Sequence, residues 1–322
     1  MTKLYLAPME GLTYIEYRKA YHSCFPDFDQ YFTPFAAPGR YHLSSFSTRE
    51  KRDIDLADNA GMNLAVQLLT KDPDACASLV QELAQAGYQE VNINLGCPSP
   101  TVTSKGRGAG MLKDPDALDS FLEDVFMETE GTDIRISVKT RIGFESADEL
   151  PALMKVFNRY PLAQIIVHPR TGKQGYDGKP DLEAFAYAFA ESRCPAVYNG
   201  DIRTAEDFQS LKKRFPDLPA VMLGRGVLAD PWLPEKLRAA QEGRTWVDPG
   251  EEARREQLRH FHDLVFANYL EAFDCKNGVV DRMKELWGWM GASVPGHEKE
   301  MKAIRKARRL PDYRAAVRVL LS

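Results

Sequence analysis

Glu90-Val91-Asn92-Ile93-Asn94-Leu95-Gly96-Cys97-Pro98 begins as a short β-branched run and ends on a loop with a glycine and a thiol. A stretch of helical period follows at Pro115–Glu130, and then a second run, Arg135-Ile136-Ser137-Val138-Lys139-Thr140. Strand, crossover helix and strand make one parallel βα unit. The unit recurs in both directions along the chain. Strands are expected near Lys3–Ala7, Gln30–Thr33, Leu64–Leu68, Glu90–Leu95, Arg135–Thr140, Gln164–His168, Ala196–Asn199 and Ala220–Gly224. Helices such as Asp74–Ala86, Glu149–Arg159 and Thr204–Arg214 fall between them. Eight strands alternating with helices read as an α/β chain, a (β/α)₈ TIM barrel. Pro34 and Pro38 interrupt the segment after the second strand, and an open doubly wound sheet is the alternative.

Glu242–Gly250 carries Gly243, Pro249 and Gly250 and reads as a linker. Beyond it strand signals stop, and helical periodicity runs through Glu251–Phe273, Val279–Met290, Lys299–Ala307 and Asp312–Leu321. The expected organisation is a barrel over residues 1–241 followed by a small all-α domain over 251–322.

The 322 residues are 44% hydrophobic and 27% charged, as in ordinary globular proteins. No stretch approaches the roughly 20 apolar residues of a membrane span. The five cysteines (Cys24, Cys76, Cys97, Cys194 and Cys275) are scattered without a C-x-x-C pair. That spacing argues against a disulfide framework or a zinc site and fits reduced thiols in a cytoplasmic protein. The net charge of −4 conceals an asymmetry: from Lys276 onward eleven Lys/Arg face five Asp/Glu. A basic helical tail is an electrostatic footprint for phosphate backbones, although a solvated helical surface has the same composition. His260 and His262 sit at i,i+2 on a helix and do not share a face, so no metal site is expected.

In a TIM barrel, function gathers at the C-terminal strand ends. Ala7-Pro8-Met9-Glu10-Gly11, Gln67, Asn94 to Pro98, Lys139 and Arg141, His168-Pro169-Arg170, Asn199-Gly200-Asp201 and Gly224-Arg225-Gly226 all fall there. The last two groups follow strands seven and eight, where this fold commonly holds phosphate. Lys139 lies in an apolar strand, either in a structural ion pair or as a cation against a flavin's N1–C2=O edge. His168 could bond the same pyrimidine portion. Glycines at 106, 108 and 110 beside Cys97 point to a mobile lid that carries the thiol over a ligand.

Asn94-Leu95-Gly96-Cys97-Pro98, with Ala7-Pro8-Met9, Lys139, His168-Pro169-Arg170-Thr171, Asn199-Gly200-Asp201 and Gly224-Arg225-Gly226 in this order, resembles the tRNA-dihydrouridine synthases. The resemblance runs from about Leu4 to Val227 and continues into Arg282-Met283-Lys284-Glu285-Leu286-Trp287, which looks like that family's tRNA-binding helix. It implies FMN reduced by NADPH, hydride passed from the flavin to C6 of a uracil, and a proton from Cys97 to C5. It further implies FMN contacts from Pro8, Met9, Glu10, Gln67, Lys139, His168, Asn199, Gly200, Asp201, Gly224 and Arg225. Asn94 and Arg170 would hold the uracil; Arg282 and Lys284 would meet tRNA at its D-loop and elbow, with no obligate protein partner. Asn92, Pro100, Tyr14 and Pro34 depart from residues frequent in the family. The Pro8-Met9-Glu10-Gly11 opening, Gln174-Gly175-Tyr176 and the Arg282–Trp287 segment resemble the C-type subgroup, which acts on the sixteenth nucleotide in the D-loop. Two other readings share parts of the pattern. One is an FMN barrel reducing a small molecule, such as a dihydroorotate dehydrogenase-like or enoate reductase. The other is an RNA-binding module with a degenerate barrel.

Overall fold

The computed structural model describes residues 1–26, 28–38, 46–273 and 276–322; Cys275 lies outside the described residues. Eight parallel strands close into a barrel in sequence order: β1 (Lys3–Leu6), β2 (Gln30–Phe32), β3 (Leu64–Leu68), β4 (Glu90–Leu95), β5 (Arg135–Arg141), β6 (Ile165–His168), β7 (Ala196–Tyr198) and β8 (Ala220–Leu223). The closing pair sets Leu4 beside Val221. β2 is only three residues long because Pro34 has no N–H for the ladder, and the chain rejoins β3 through a single bridge from Ala36 to Leu68. β1 and β8 stop at Leu6 and Leu223, so Ala7 and Gly224 are already loop residues.

The period of two along each strand sorts its side chains. Leu4, Leu6, Val91, Ile93, Leu95, Val138 and Val167 face outward into the large core beneath the helices. Tyr5, Phe32, Ala65, Ile166, Val197, Ala220 and Met222 fill the barrel's interior. On β3, β4, β5 and β6 the inward set becomes polar toward the C-terminal end: Gln67, Asn92 and Asn94, Ser137 and Lys139, and His168. The surrounding helices are capped as their sequences require. Asp72 and Asp114 each accept an N–H from the residue three ahead, with proline following at the first helical position.

Four helices complete the chain, Glu251–Ala272, Lys276–Met290, Glu298–Lys306 and Leu310–Leu320. Their core includes Trp287, Tyr313 and the buried His262, joined in one chain of hydrogen bonds. The Trp287 indole donates to the Tyr313 hydroxyl (2.9 Å), which lies 2.7 Å from His262 Nε2. The first of these helices packs on the barrel helix Ile15–Cys24. There the ring of Phe261 lies 5.3–6.2 Å from Phe25, Tyr17 and Tyr21. Gln257 and Asn268 add bonds to the backbone oxygens of Cys24 and Glu16. No helix among the described residues is long and apolar enough to cross a membrane.

Candidate active site

Strand register assembles the mouth of the barrel: Asn94 lies beside Lys139, and Arg141 beside His168. A cleft there is lined by Pro8, Met9, Lys139, His168, Asn199, Gly200, Asp201, Gly224 and Arg225, all singled out from sequence. Ala7, Tyr176, Ile202, Arg203 and Gly226 complete the wall.

Lys139 has no ion-pair or hydrogen-bond partner among the described residues, so it is not the structural ion pair weighed above. Burial, and after it the nearby charge of Arg141, lower its pKa to about 8. An unpaired cation in a desolvated cleft calls for an anionic or carbonyl-rich ligand. His168 lies 3.0 Å from Arg170 through its Nε2. A guanidinium can only donate, so Nε2 accepts and Nδ1 carries the proton. Burial, then the cations Lys139, Arg141, Arg170 and Arg225, hold this imidazole neutral well below its usual range. It is a donor without charge.

Arg170 is placed differently from a ligand-facing fork. Its Nε donates to Asp177 O, Nη1 to His168 and Asp201, and Nη2 to Gly178 O and Asp201. All five N–H groups are used. Arg170 braces the mouth and has nothing left for a uracil in this arrangement. Asp201 also pairs with Arg225. Burial alone would raise the Asp201 carboxyl, but the two arginines hold it below its ordinary value. The loops after β7 and β8 touch so closely that a Cβ on Gly226 would lie 2.2 Å from Ile202 O. Behind that glycine, the first turn of helix Arg225–Ala229 leaves backbone N–H groups without intrahelical acceptors.

Gln67 is tied up within the barrel, and Asn94 is left with a single amide N–H. Asn94 donates to Gln67 Oε1 (2.7 Å), Gln67 to Asn92 Oδ1 (2.7 Å), and Asn92 to Ser137 Oγ (2.9 Å). Asn94 Oδ1 accepts the backbone N–H groups of Gly96 and Cys97. The relay fixes the loop that carries the thiol. Burial pushes the Cys97 pKa above its usual 9.0, and the weaker pull of Lys139 and Arg141 does not reverse this. The thiol keeps its proton at neutral pH.

The glycines after Cys97 do not form the lid expected from sequence. Gly108–Leu112 is buried in a 3₁₀ turn, and Ala109 donates its N–H to Cys97 O at 3.0 Å. A Cβ on Gly108, at φ +56°, would lie 2.8 Å from Cys97 O. These glycines allow close packing behind the thiol, where a lid needs looseness.

Glu10 lies outside the cleft and is solvent-exposed, bonded by the Tyr14 hydroxyl and 3.8 Å from Arg49. Arg282 reaches the mouth loop, donating to Gly11 O (3.4 Å) while pairing with Glu285 (2.9 Å). Lys284 pairs with Asp281. Three contributors escaped the sequence reading as ligand contacts. Tyr176 is exposed at the rim, with the Arg225 and Arg141 guanidiniums 4.9 and 5.6 Å from its ring. Arg203 completes one wall. Arg141, noted only as a strand end, donates to Gly96 O, Thr171 O and Gly175 O and ties the Cys97 loop to the Tyr176 turn. The open space in the cleft is ≈ 70 Å³, below the ~300 Å³ at which cofactor sites begin. Tyr176, which forms no hydrogen bond among the described residues, stands on its wall.

The family model described as "Dihydrouridine synthase (Dus)" matches residues 5–276. The chain belongs to the dihydrouridine synthase family. It is similar to the tRNA-dihydrouridine(16) synthase of Pseudomonas syringae pv. tomato, 31% identical over 76% of this chain and 78% of that protein. It is also similar to a probable tRNA-dihydrouridine synthase of Rhodobacter capsulatus, 29% identical over 97% of this chain and 93% of that one. Among solved structures, the old yellow enzyme homologue from Zymomonas mobilis shares the fold, with a TM-score of 0.54 at 14% identity, covering 76% of this chain and 90% of that one. As a dihydrouridine synthase the chain is an NAD(P)H-dependent flavin oxidoreductase acting on tRNA. The small-molecule reductase and the degenerate-barrel readings give way to it.

Proposed function

We propose that this dihydrouridine synthase holds FMN in the mouth cleft, reduces the uridine at position 16 of the tRNA D-loop, and uses Cys97 as the proton donor. The observation that carries the reading is the placement of a partnerless Lys139 and of the loop that carries Cys97 on adjoining strand ends, β5 and β4. The donor set fits a flavin. Lys139 and the neutral His168 offer N–H groups to a pyrimidine edge, while Gly200, Gly224, Gly226 and Arg225 offer backbone and charge to a phosphate. A flavin bound there supplies the hydride that a uracil receives at C6.

The remaining work belongs to side chains of this chain. The Cys97 Sγ–H bond breaks as its proton passes to C5, and the resulting thiolate is stabilised by Lys139 and Arg141. Asn94 sets the thiol's loop through two backbone bonds and keeps one amide N–H for a uracil carbonyl. Arg170 orients His168 and Asp201. Pro8 and Met9 supply the apolar floor, Gln67 supports it from within the barrel, and Glu10 stays outside the cleft. Position 16 is supported by the Pro8-Met9-Glu10-Gly11 opening, by Gln174-Gly175-Tyr176, and by the likeness to the tRNA-dihydrouridine(16) synthase of P. syringae.

For the RNA grip, Arg282 and Lys284 are half-buried and paired. Lys299, Lys302, Arg305, Lys306, Arg314 and Arg318 are exposed on the last two helices and Arg308 on the turn between them, a row of cations along the end of the chain. A row of that kind suits the backbone of a folded RNA. The test is to incubate the flavin-loaded protein with unmodified tRNA and NADPH and to map dihydrouridine. Product at position 16 from the wild type and none from Cys97→Ala, with flavin and tRNA still bound, is the expected result. Full turnover in Cys97→Ala removes the thiol as acid.

A further inference from the structure

The mouth cleft has a neighbour. Arg203, Arg225 and Gly226 line both it and a second cleft of ≈ 470 Å³ that runs along the seam between barrel and helical part. The helical part contributes Arg254, Gly288, Trp289 and Ser293 to the far wall. This volume lies within the ~300–1,000 Å³ of small-molecule sites.

The lining is cationic and aromatic. Asp230 is the acidic residue there, and Lys236 pairs with it at 2.6 Å. Arg225 is committed to Asp201. Two guanidiniums remain. Arg203 is exposed and has no ion pair among the described residues. Arg254 meets Asp248 at 3.3 Å with both side chains more than a third exposed (37% and 48%), a contact that water largely screens. Beside them Trp289 is half-buried, and its indole N–H has no partner among the described residues. Two guanidinium forks and an aromatic face in one concavity suit a nucleotide, with phosphate on the forks and the base on the indole. RNA needs a longer track, and the exposed cations of the last two helices supply it.

We propose that the seam cleft holds the adenosine-phosphate half of NADPH while its nicotinamide reaches the mouth cleft. The proposal rests on the reading of the mouth as the flavin site. Arg203 belongs to both walls and is not part of the phosphate cradle, so one two-headed ligand can span the two clefts. The sequence carries no G-x-G-x-x-G turn that would hold this half of the dinucleotide elsewhere.

The test uses flavin-loaded protein. Adenosine 2′,5′-bisphosphate binding is measured by calorimetry, and flavin bleaching by NADPH is followed in stopped flow without tRNA. Arg254→Ala and Trp289→Leu should each weaken bisphosphate and NADPH binding roughly tenfold, about the worth of one charge-assisted or stacking contact. The limiting bleaching rate, flavin content and tRNA affinity should stay at wild-type values. The Arg254 side chain is more than a third exposed and its pair with Asp248 is screened by water, so that variant is expected to fold whatever Trp289→Leu does. Wild-type NADPH binding in both variants overturns the proposal. So does lost tRNA affinity with NADPH binding intact, which would make the seam part of the RNA track. Wild-type protein that NADPH does not bleach would overturn the flavin reading itself, and the seam proposal with it.

Discussion

The two ends of the barrel solve the same problem in opposite ways. Both carry polar side chains inside a closed sheet. At the N-terminal end Gln164 donates to Gln30 (3.0 Å) and to Glu90 (2.7 Å), and Arg135 approaches Glu90 at 3.5 Å. Apart from the Gln30 amide nitrogen, that plug is closed on itself. At the C-terminal end the braces are equally complete around Arg170 and Gln67, yet Lys139, the His168 Nδ1–H and the Cys97 thiol are left open. A buried polar group without a partner costs stability. Open capacity surrounded by completed bonds therefore marks the working end better than polarity does.

The comparison predicts where substitutions should strike. The largest effect belongs to Cys97→Ala, with turnover down ~10²–10⁴-fold, the usual worth of a positioned acid, and thermal stability little changed. Lys139→Met should come next, slowing flavin reduction by ~10²-fold, as losing one preorganised charge does elsewhere. Its pH counterpart has a definite sign. With a pKa near 8, Lys139 is charged below that pH and neutral above it. Flavin affinity should accordingly fall as pH rises through about 8, a trend that Lys139→Met abolishes; equal slopes in the two proteins would refute the assignment.

Smaller effects separate the RNA grip from the joint that carries it. Lys302→Ala, Arg305→Ala and Lys306→Ala combined should make the salt dependence of tRNA binding shallower, by about one unit of log–log slope per lost phosphate contact, without altering NADPH oxidation. Arg282→Ala should instead lower tRNA turnover and flavin reduction together, because Arg282 bonds the mouth loop at Gly11 O. The smallest effect on activity belongs to the closed end. Gln164→Leu leaves Glu90 short of a donor and should cost about 1–3 kcal/mol in a denaturant titration while kcat holds. A fall in kcat there would break the contrast between the two faces.

Much of this was legible before any coordinates. Strand periodicity located the eight strands to within a residue or two, because outward Val, Ile and Leu had to meet helices. Glycine and polar clusters at strand ends located most of the cleft wall. What stayed hidden was pairing. Nothing in the order of residues says that all five Arg170 donors are spent on His168, Asp201 and a turn at 177–178, or that Gln67 is consumed by Asn92 and Asn94. The glycines after Cys97 misled for a related reason. A glycine serves loose chain and tight packing equally, and only the 2.8 Å approach at Gly108 tells the two apart. Tyr176 was passed over as a ligand contact because an exposed aromatic in a Gly-rich turn carries no periodic signal.

Phe261 has a consequence for how the molecule comes apart. Its ring belongs to the C-terminal helices but is completely buried among Tyr17, Tyr21 and Phe25 of the barrel. Cutting the chain in the 242–250 segment would bare an aromatic patch on each fragment, so neither piece inherits a finished surface. Heating should melt both halves in a single calorimetric peak, and a barrel expressed alone should be prone to self-association.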